Sequence, residues 1–311
     1  MADDGGPADT APDAAASPYL TVREAAAYLH LNEKTLYTLI QDGTVPATKV
    51  TGKWLFARAL LDEWLLESMH GGVLADRLLI AGSDDPWLAH SIARLAQRAP
   101  DGALIAYSPC GTRRGLALLA QRRANACPMH WGDAHHAPRR HALLLREYSG
   151  SSGWVMVQLA LREQGIMLSR RLEPVDTLAN LLARTPALIQ RGAGAGSQHF
   201  FVQACLAAGV AMPKAGLTAA TEREAAFLVA DGAGDCAPGT RAAAGEFGLH
   251  FLPLGSEAFD LVMPRTLYFR ALLQQLLAEL ASDDSRDLAT RLGGYDLAPL
   301  GRLRAEAAAG Q

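Results

Sequence analysis

Three turns along the chain each place a small hydroxyl-bearing residue at or near the start of an apolar helical pattern. They are Gly82-Ser83-Asp84-Asp85-Pro86, Ser108-Pro109-Cys110-Gly111-Thr112 and Arg191-Gly192-Ala193-Gly194-Ala195-Gly196-Ser197. A helix start has free backbone N–H groups and the positive end of the helix dipole, so it attracts anions, and a hydroxyl adds a neutral donor. Each hydroxyl taken singly is more often a helix cap. Together, three such starts predict convergence on one small anion.

The hydrogen-bonding groups of these turns suit a small oxyanion, which offers acceptors only. The predicted ligand-binding residues are Ser83, Thr112, Arg113, Arg191, Gly196 and Ser197. A surface salt bridge is the alternative role for both arginines, and more so for Arg113 than for Arg191. The third turn also has the glycine spacing of a dinucleotide-binding loop, but no suitably spaced acidic residue at a strand end follows it.

Other clusters of reactive side chains predict neither a metal site nor catalysis. His130, His135, His136 and His141 stand in a proline- and arginine-rich segment without a helical spacing that would face them together. The pair Asp84-Asp85 fits a helix cap and first turn better than a catalytic dyad. We therefore expect no enzyme, no metal and no resident cofactor.

Strand-like and helix-like patterns alternate from Asp76 onward, and this alternation surrounds all three turns. The first predicted strands, at 77–81, 103–107 and 126–129, alternate with helices at 87–98 and 114–122. Further strands are predicted at 154–160, 187–190, 249–252 and 259–262, and further helices at 177–183, 198–208, 222–230 and 267–281. Such alternation predicts an α/β fold with a mostly parallel sheet, in which ligands bind where strand ends meet helix starts.

Residues 20–66 have a different pattern, which predicts a winged helix-turn-helix. Thr21 and Glu24 have the spacing of a capping box, and a short helix follows over 22–29. Asn32 caps a second helix, which ends at Asp42-Gly43. Two short helices joined by a tight turn form a DNA-reading unit whose second helix lies in the major groove.

After Pro46, two short extended runs around Thr51-Gly52 predict a β-hairpin wing, and a third helix is expected from Arg58 to about Ser68. This helix is predicted to bury Leu60, Leu61, Trp64 and Leu65. The predicted DNA-binding residues are Asn32, Lys34, Thr35, Tyr37, Thr38, Lys49 and Lys53. Because residues 17–70 hold five basic and six acidic residues, the prediction depends on where the few cations lie.

This segment resembles the excisionase-type helix-turn-helix domains along almost its whole length. The matching parts are LTVREAAAYL, the Asn32-capped TLY helix, the GTVPATKVTGKW wing and the final DEWL helix. The resemblance implies binding to double-stranded DNA. An unrelated three-helix packing module is the alternative.

Residues 76 to about 280 are similar to the type 2 periplasmic binding proteins, particularly those for tungstate and molybdate. The tungstate binders have an RGDDSGT-like loop, which stands here as RGAGAGS with Arg191 and Ser197 at its ends. Thr112 in CGTRRGL matches the GTG-type anion loop, and His130 in CPMHW and Gly234-Asp235 match two further motifs. Ala193, Gly194 and Ala195 depart from the loop, and Ser83 matches only loosely. The resemblance implies a two-lobed binding domain for molybdate or tungstate.

The 311 residues divide by pattern into a disordered tail (1–16), the winged helix-turn-helix (17–70), the two-lobed ligand-binding domain (76–285, with a second lobe at about 160–248) and a C-terminal extension (286–311). The acidic start does not have the pattern of a signal peptide, and no apolar run reaches the ~20 residues of a membrane span. The four widely spaced cysteines fit reduced thiols in the cytoplasm.

These observations predict a cytoplasmic one-component transcriptional regulator that senses a small oxyanion. Because one such DNA-binding head makes few base contacts, a homodimer or higher homo-oligomer on two half-sites is expected. Two alternatives remain open: the same regulator with a small carboxylate or another metabolite as effector, and an anion-binding protein or enzyme without a role on DNA.

Overall fold

The computed structural model describes residues 17–67, 77–99, 103–214 and 216–304. The predicted tail at 1–16 lies outside these residues. The chain divides into two compact units, with the boundary between Asp76 and Arg77.

The first unit is a small three-stranded sheet with three helices. Its elements are β1 (Tyr19–Thr21), α1 (Val22–Tyr28), α2 (Glu33–Gln41), β2 (Thr48–Val50), β3 (Lys53–Ala57) and α3 (Arg58–Glu67). The strands are antiparallel in the order β1-β3-β2, and the β2–β3 wing turns at Thr51 and Gly52, which both have positive φ. That backbone matches the twist of a two-residue hairpin. Strand β1 is too short to give a sequence pattern and was not predicted.

The predicted helix caps of the first unit are confirmed. Thr21 and Glu24 form a reciprocal capping box, and the Asn32 side chain accepts a hydrogen bond from the backbone N–H of Thr35 at 2.7 Å. The buried core contains Ala25, Ala26, Leu36, Val45, Phe56 and Leu61. The predicted burial of Leu60 and Leu65 is wrong, because both are at least 40% exposed. Helix α3 packs only one narrow stripe, with Leu61 and Trp64, against this small core.

The second unit alternates strands and helices along the chain. Its strands are β4 (Arg77–Gly82), β5 (Leu104–Pro109), β6 (Cys127–Met129), β7 (Trp154–Leu168), β8 (Gln190–Arg191), β9 (Thr218–Ala219), β10 (Cys236–Thr240), β11 (His250–Pro264), β12 (Tyr295–Asp296) and β13 (Arg302–Arg304). Its helices are α4 (Pro86–Arg98), α5 (Thr112–Ala120), α6 (Ala137–Leu145), α7 (Leu178–Ala183), α8 (Gly196–Ala208), α9 (Glu222–Asp231), α10 (Arg241–Glu246), α11 (Arg265–Tyr268), α12 (Ala271–Ala281) and α13 (Asp283–Leu292).

The two longest strands, β7 and β11, pair with each other antiparallel over their whole length, from His250 opposite Leu168 to Pro264 opposite Trp154. The prediction of a mostly parallel sheet is therefore wrong for the centre of the unit. Parallel pairing is found between β4 and β5 and between β8 and β9. The register of the long pair shifts at Pro253/Gly255 and at Phe259/Asp260.

Hydrophobic cores lie on either side of the middle of this ribbon and define two lobes. The second lobe consists of α7–α10 with β8–β10, packed on the end of β7 and the start of β11, and its cores include Ile166, Leu168 and Leu252. The first lobe is the rest of the unit, and its cores include Val157, Leu159 and Leu261. Both long strands therefore pass from one lobe to the other.

The segment predicted as a C-terminal extension is instead part of the first lobe as far as residue 304. Strands β12 and β13 pair with β7, and the indole N–H of Trp87 donates to Ser285 in α13 at 2.7 Å. The sequence did not show this because β12 and β13 are only two and three residues long.

Candidate ligand-binding cleft and DNA-reading surface

The N-termini of α5 and α8 meet where the two lobes face each other. The backbone N–H of Arg113, in the first lobe, donates to the carbonyl oxygen of Gly194 in the second at 3.2 Å. Gly196 lies against His130, and a Cβ at this position would be only 2.5 Å from the His130 Nε2 and carbonyl oxygen. A glycine at residue 196 therefore permits this close approach of the lobes, which places two of the predicted anion-binding turns side by side.

Ser83 and Thr112 are buried and contact each other through their hydroxyls at 2.8 Å. Thr112 also donates to the carbonyl oxygen of His130 at 3.1 Å. These bonds tie together the ends of β4 and β6 and the start of α5. The structure thus brings the two predicted hydroxyls to one point in the first lobe, where they also stabilise the loops.

Ser197 lies in the first turn of α8 and is 1% exposed. Its Oγ has no hydrogen-bond partner among the residues that the structure describes. A buried hydroxyl without a partner costs free energy unless water or a ligand completes it. The Ser197 hydroxyl can therefore still pair with a water molecule or a ligand.

Arg191, at the end of β8, is buried in the second lobe. Its Nε donates to the carbonyl oxygen of Ala219 at 3.2 Å and its Nη2 to that of Ala220 at 3.1 Å. Burial lowers the pKa of Arg191, and the charges of Glu222 and Asp84 oppose that shift. The guanidinium borders a cavity of about 320 Å³. The other residues lining this cavity are Cys110, Arg114, Gly192, Gly194, Ala195, Thr218, Ala219 and Ala220.

The side chain of Arg113 is not brought to the other predicted residues. Its guanidinium forms a 2.7 Å ion pair with Glu147 and lies over the ring of Trp131, with Cζ 5.0 Å from the ring centroid. The acidic partner on the same lobe draws the side chain away from Thr112 and Ser197. Toward the second lobe, Arg113 presents its backbone N–H and the aliphatic part of its side chain, which lies beside Gly194.

An aromatic contact also joins the lobes near this point. The rings of Trp131, in the first lobe, and His199, in α8, stack with centroids 4.2 Å apart and planes 10° from parallel. Burial, together with the positive charge of Arg140 and other nearby groups, lowers the pKa of His199 to about 4. His199 is therefore neutral in this arrangement at neutral pH.

A buried network of charges on the two long strands was not foreseen from the sequence. Arg162 donates from Nε to Glu257 at 3.0 Å and from Nη1 to Asp85 at 2.8 Å, and Tyr295 donates to the same Asp85 oxygen at 2.8 Å. His130 contacts the second oxygen of Glu257. The available signal was the polar run Arg162-Glu163-Gln164, which interrupts an otherwise apolar strand.

The pKa directions agree with ionised groups in this network. Burial alone would raise the pKa of Glu257, but the charges of His130 and Arg162 lower it below its usual value. Burial likewise works against the charged form of Arg162, while Glu257 and Asp85 raise its pKa. The charged groups of this network are therefore paired with one another where the long strands cross between the lobes, and they need no ligand to balance them.

Asp84 adds a second unforeseen acidic group, and it faces the second lobe. Its Oδ2 accepts a hydrogen bond from the backbone N–H of Arg223 in α9 at 2.9 Å. Its Oδ1 is buried and has no partner within the described part of the chain. The sequence prediction assigned Asp84 only to a helix start, whereas Asp85 is the cap of α4, accepting from the Leu88 N–H at 2.7 Å.

The histidines noted in the sequence do not gather around one point. His130 contacts Glu257, His141 contacts Asp260 at 2.7 Å, and His136 contacts Asp133 at 2.8 Å. Each pair joins a histidine to its own carboxylate, which orients the ring and ties a loop or helix to a strand or turn.

In the first unit, the predicted DNA-binding side chains are exposed along α2 and the wing. They are Asn32, Lys34, Thr35, Tyr37, Thr38, Lys49 and Lys53. Part of their hydrogen-bonding capacity is used locally, since the Thr35 hydroxyl donates to Asn32 at 2.9 Å and that of Thr38 to the Lys34 carbonyl at 3.2 Å. Lys34 and Tyr37 on α2 and Lys53 on the wing extend from the surface without such local bonds among those the structure shows.

Among the described helices, none is both long and apolar enough to cross a bilayer.

Two families match the chain. Residues 19–69 match the family described as helix-turn-helix domain, and residues 93–281 match the one described as PBP superfamily domain. No curated protein matches the sequence.

Solved structures with a similar fold include a putative phosphate ABC transporter substrate-binding protein from Clostridium perfringens with bound phosphate. It shares 10% identity, covers 71% of this chain and 99% of its own, and has a TM-score of 0.52. An OxyR mutant from Corynebacterium glutamicum with hydrogen peroxide bound shares 15% identity over 87% of this chain and 90% of its own, with a TM-score of 0.49. The effector-binding domain of QuiR in complex with shikimate shares 12% identity over 65% and 93%, with a TM-score of 0.45. At 10% identity, the likeness to the Clostridium perfringens protein shows the fold alone.

The PBP superfamily match spans more than half of the chain and lies within the two-lobed unit. The chain therefore belongs to the PBP superfamily domain family and carries a helix-turn-helix domain before it, the composition of a ligand-sensing DNA-binding regulator rather than of an enzyme.

Proposed function

We propose that this protein is a one-component transcriptional regulator that acts in the cytoplasm, where its double-stranded DNA target lies, and senses a small oxyanion. The observation that carries the proposal is the meeting of the α5 and α8 N-termini across the cleft, with the hydroxyl of Ser197 buried and unpaired beside them. Helix starts with spare N–H and O–H donors stabilise anions.

The proposed ligand-binding set is Ser83, Thr112, Arg191, Gly196 and Ser197, with the backbone of Arg113. Each belongs to a turn at the lobe boundary, so a ligand there contacts both lobes and favours their closed arrangement. A ligand shifts such an equilibrium only by its different affinity for the open and closed forms. We propose that closure of the lobes changes how the protein binds DNA.

Calorimetric titration of the full chain tests the effector. The panel consists of molybdate and tungstate, from the sequence resemblance, phosphate, which is bound in the Clostridium perfringens protein of similar fold, and sulfate and small carboxylates. The variant Ser197→Ala is expected to weaken binding roughly tenfold, because it removes one donor to a charged ligand. The exposed Ser152→Ala is the control. If no member of the panel binds, the oxyanion proposal fails.

The DNA-binding part of the proposal is tested with genomic fragments selected by the purified chain. A homodimer is proposed because two helix-turn-helix heads on half-sites one helical turn or a multiple apart supply more base contacts than one. Size-exclusion chromatography with and without the selected DNA tests this. A monomer under both conditions contradicts it.

A further inference from the structure

The surface of helices α5 and α6 in the first lobe has a strong excess of positive charge. Residues 112–147, which include both helices, contain seven arginines and two acidic residues, whereas the whole chain has 29 basic and 32 acidic residues. We call the exposed surface of this segment the arginine layer. Its arginines are Arg113, Arg114, Arg122, Arg123, Arg139, Arg140 and Arg146.

Both helices of the arginine layer cover the same face of the first-lobe sheet. Leu116 of α5 and Leu144 of α6 are buried in one core with Met156 of β7. The next residue of β7, Val157, belongs to the core under α4, α12 and α13, because successive side chains of a strand point to opposite faces. The outer sides of α5 and α6 are therefore exposed on one side of the lobe.

The two acidic residues of the segment already have basic partners within it. Glu147 forms its 2.7 Å ion pair with Arg113, and Asp133 contacts His136 at 2.8 Å and Arg140 at 3.7 Å. Most of the positive charge in the layer is therefore not neutralised from inside the segment. Three of its exposed arginines form no ion pair with any residue that the structure describes, namely Arg114, Arg123 and Arg139.

The helices on the other face of the same sheet pair their charges with one another. Arg94 of α4 contacts Glu279 at 2.9 Å and Asp284 at 2.5 Å, and Arg98 contacts Glu279 at 2.8 Å. Helix α8, which approaches the layer from the second lobe, contains no charged residue. The arginine layer is thus a basic surface without a matching acidic surface on these neighbouring helices, and it fits a polyanion.

The composition of the layer favours nucleic acid over a protein partner. Among its described residues, Leu143 is the single large apolar side chain that is exposed. Protein interfaces have an apolar centre from which charged residues are depleted, whereas contacts to phosphates require little more than well-placed cations. A phosphate backbone therefore matches this surface better than a folded protein does.

The helix-turn-helix domain has little positive charge of its own with which to hold DNA. Residues 17–70 contain five basic and six acidic residues. Neutralisation of phosphates by cations supplies most of the sequence-independent affinity for DNA. A second cationic surface on the same chain adds phosphate contacts at a high effective concentration, because the first domain already holds the duplex.

We infer that the arginine layer binds the phosphate backbone of the same double-stranded DNA that the helix-turn-helix domain reads. The ligand-binding unit then supplies sequence-independent affinity, and the first unit supplies base contacts. This inference rests on the DNA-binding part of the proposed function and adds a second contact surface to it.

Fluorescence anisotropy on the full chain at several salt concentrations tests the inference. The probes are a duplex selected by the purified chain and an unrelated duplex of the same length. The double variant Arg123→Ala/Arg139→Ala should lower the slope of log K against log salt by about two units and weaken binding at least about tenfold at about 0.1 M salt. The affinity ratio of the two duplexes should not change, because phosphate contacts carry no sequence information.

Two further double variants are the controls. Arg123→Lys/Arg139→Lys keeps the charge and should keep the wild-type slope. Arg286→Ala/Arg291→Ala removes the same charge from exposed positions of α13, on the other face of the sheet, and should also keep it. Thermal unfolding shows that each variant is folded.

The outcomes separate this inference from the function on which it rests. A wild-type slope in Arg123→Ala/Arg139→Ala overturns the inference, and DNA binding by the wild type then leaves the regulator standing. An equal fall of slope in the α13 variant overturns it as well, because net charge alone would be the cause. If size-exclusion chromatography instead shows a loss of dimer with the slope unchanged, the layer contacts a second copy and not DNA. Absence of DNA binding by the wild type counts against both proposals.

Discussion

Arg162 shows how single residues at the lobe crossing bear on both stability and function. It is 1% exposed and is held by Glu257 and Asp85, while its guanidinium lies 3.8 Å from the ring centroid of Phe259. Substitution of either carboxylate or of Arg162 should destabilise the fold, because a buried charge without its partner is costly in free energy.

Replacing Glu257 by Gln should lower the free energy of unfolding by about 3–5 kcal/mol, since Arg162 and His130 would lose a buried anionic partner. Urea-induced unfolding measures the loss. The neighbouring Glu163→Gln is the control, because the Glu163 pair with Arg241 is about two-fifths exposed and should contribute less than about 1 kcal/mol. Equal losses in the two variants would contradict the assigned role of the buried network.

Gly196 gives a second prediction at this scale. Gly196→Ala would place a Cβ against His130, and overpacking of this kind costs about 1–3 kcal/mol, or roughly 5- to 150-fold in ligand affinity if the closed lobes alone are affected. Calorimetry with the tightest-binding anion measures this. Gly153→Ala, whose added Cβ meets nothing within 4 Å and which does not line the cavity beside Arg191, should bind as the wild type does. Full affinity in Gly196→Ala would mean that the lobes need not approach this closely.

Helix α8 contributes to closure through two of its residues, because it carries Gly196 at its start and His199 one turn later. The Trp131–His199 stack is adjacent to the cations Arg113 and Arg140 of the first lobe, and His130 also faces it. A protonated His199 would add a positive charge to this group. Neutral His199 is thus coupled to the closed arrangement.

The pH dependence follows from the direction of this shift. The pKa of His199 is lowered from 6.5 to about 4 in the closed arrangement, so the exposed form binds a proton more readily between these values. Closure is therefore favoured fully above pH 6.5 and progressively less as the pH falls toward 4. Ligand affinity should decrease over this range in the wild type and decrease less in His199→Gln. Parallel pH profiles for the two proteins would exclude His199 as the cause.

The DNA-reading elements give a prediction of a different kind. Lys34→Ala on α2 and Lys53→Ala on the wing should each weaken binding to all DNA sequences and lower the salt dependence of log K by about one unit of slope, since each removes one cation that we propose contacts a phosphate. Fluorescence anisotropy at several salt concentrations measures this. Lys214→Ala, in the second unit, is the matched charge control. If the first two substitutions leave the slope unchanged, a different surface of the protein contacts DNA.

Local elements were predictable where short-range chemistry fixes them, and the cleft was predictable only in part. The capping box of Thr21 and Glu24 and the Thr51-Gly52 turn depend on neighbours in sequence, and both are confirmed. The lengths of β7 and β11 were underestimated, because Arg162, Gln164 and Glu257 break the apolar pattern. Arg162 and Glu257 are buried among Asp85, Tyr295 and His130, which are distant in sequence, and no local pattern records such pairings.

At the scale of the whole molecule, the sequence showed two units and their classes but not the path of the chain through the second. The three hydroxyl-bearing turns led to the lobe boundary, whereas the partners of Arg113 and the acidic groups there depend on pairings between distant segments. Asp84 and Arg223 are 139 positions apart. A contact of that range appears only once the topology is known.

The long ribbon of β7 and β11 constrains how the lobes separate. A one-residue slip between its strands would move Phe259 and Leu261 from their core to the opposite buried face, where Val262 packs, so sliding is strongly disfavoured. The lobes can instead rotate relative to each other while the hydrogen bonds between β7 and β11 stay intact. The ribbon should bend most easily at the irregularities at Pro253/Gly255 and Phe259/Asp260, which flank Glu257. Hydrogen–deuterium exchange should find the central amides of β7 slow with or without effector. General acceleration of amide exchange when the effector is removed would instead mean that the pairing of β7 with β11 is lost. The lobes would then separate by local unfolding of the ribbon and not by rotation about it.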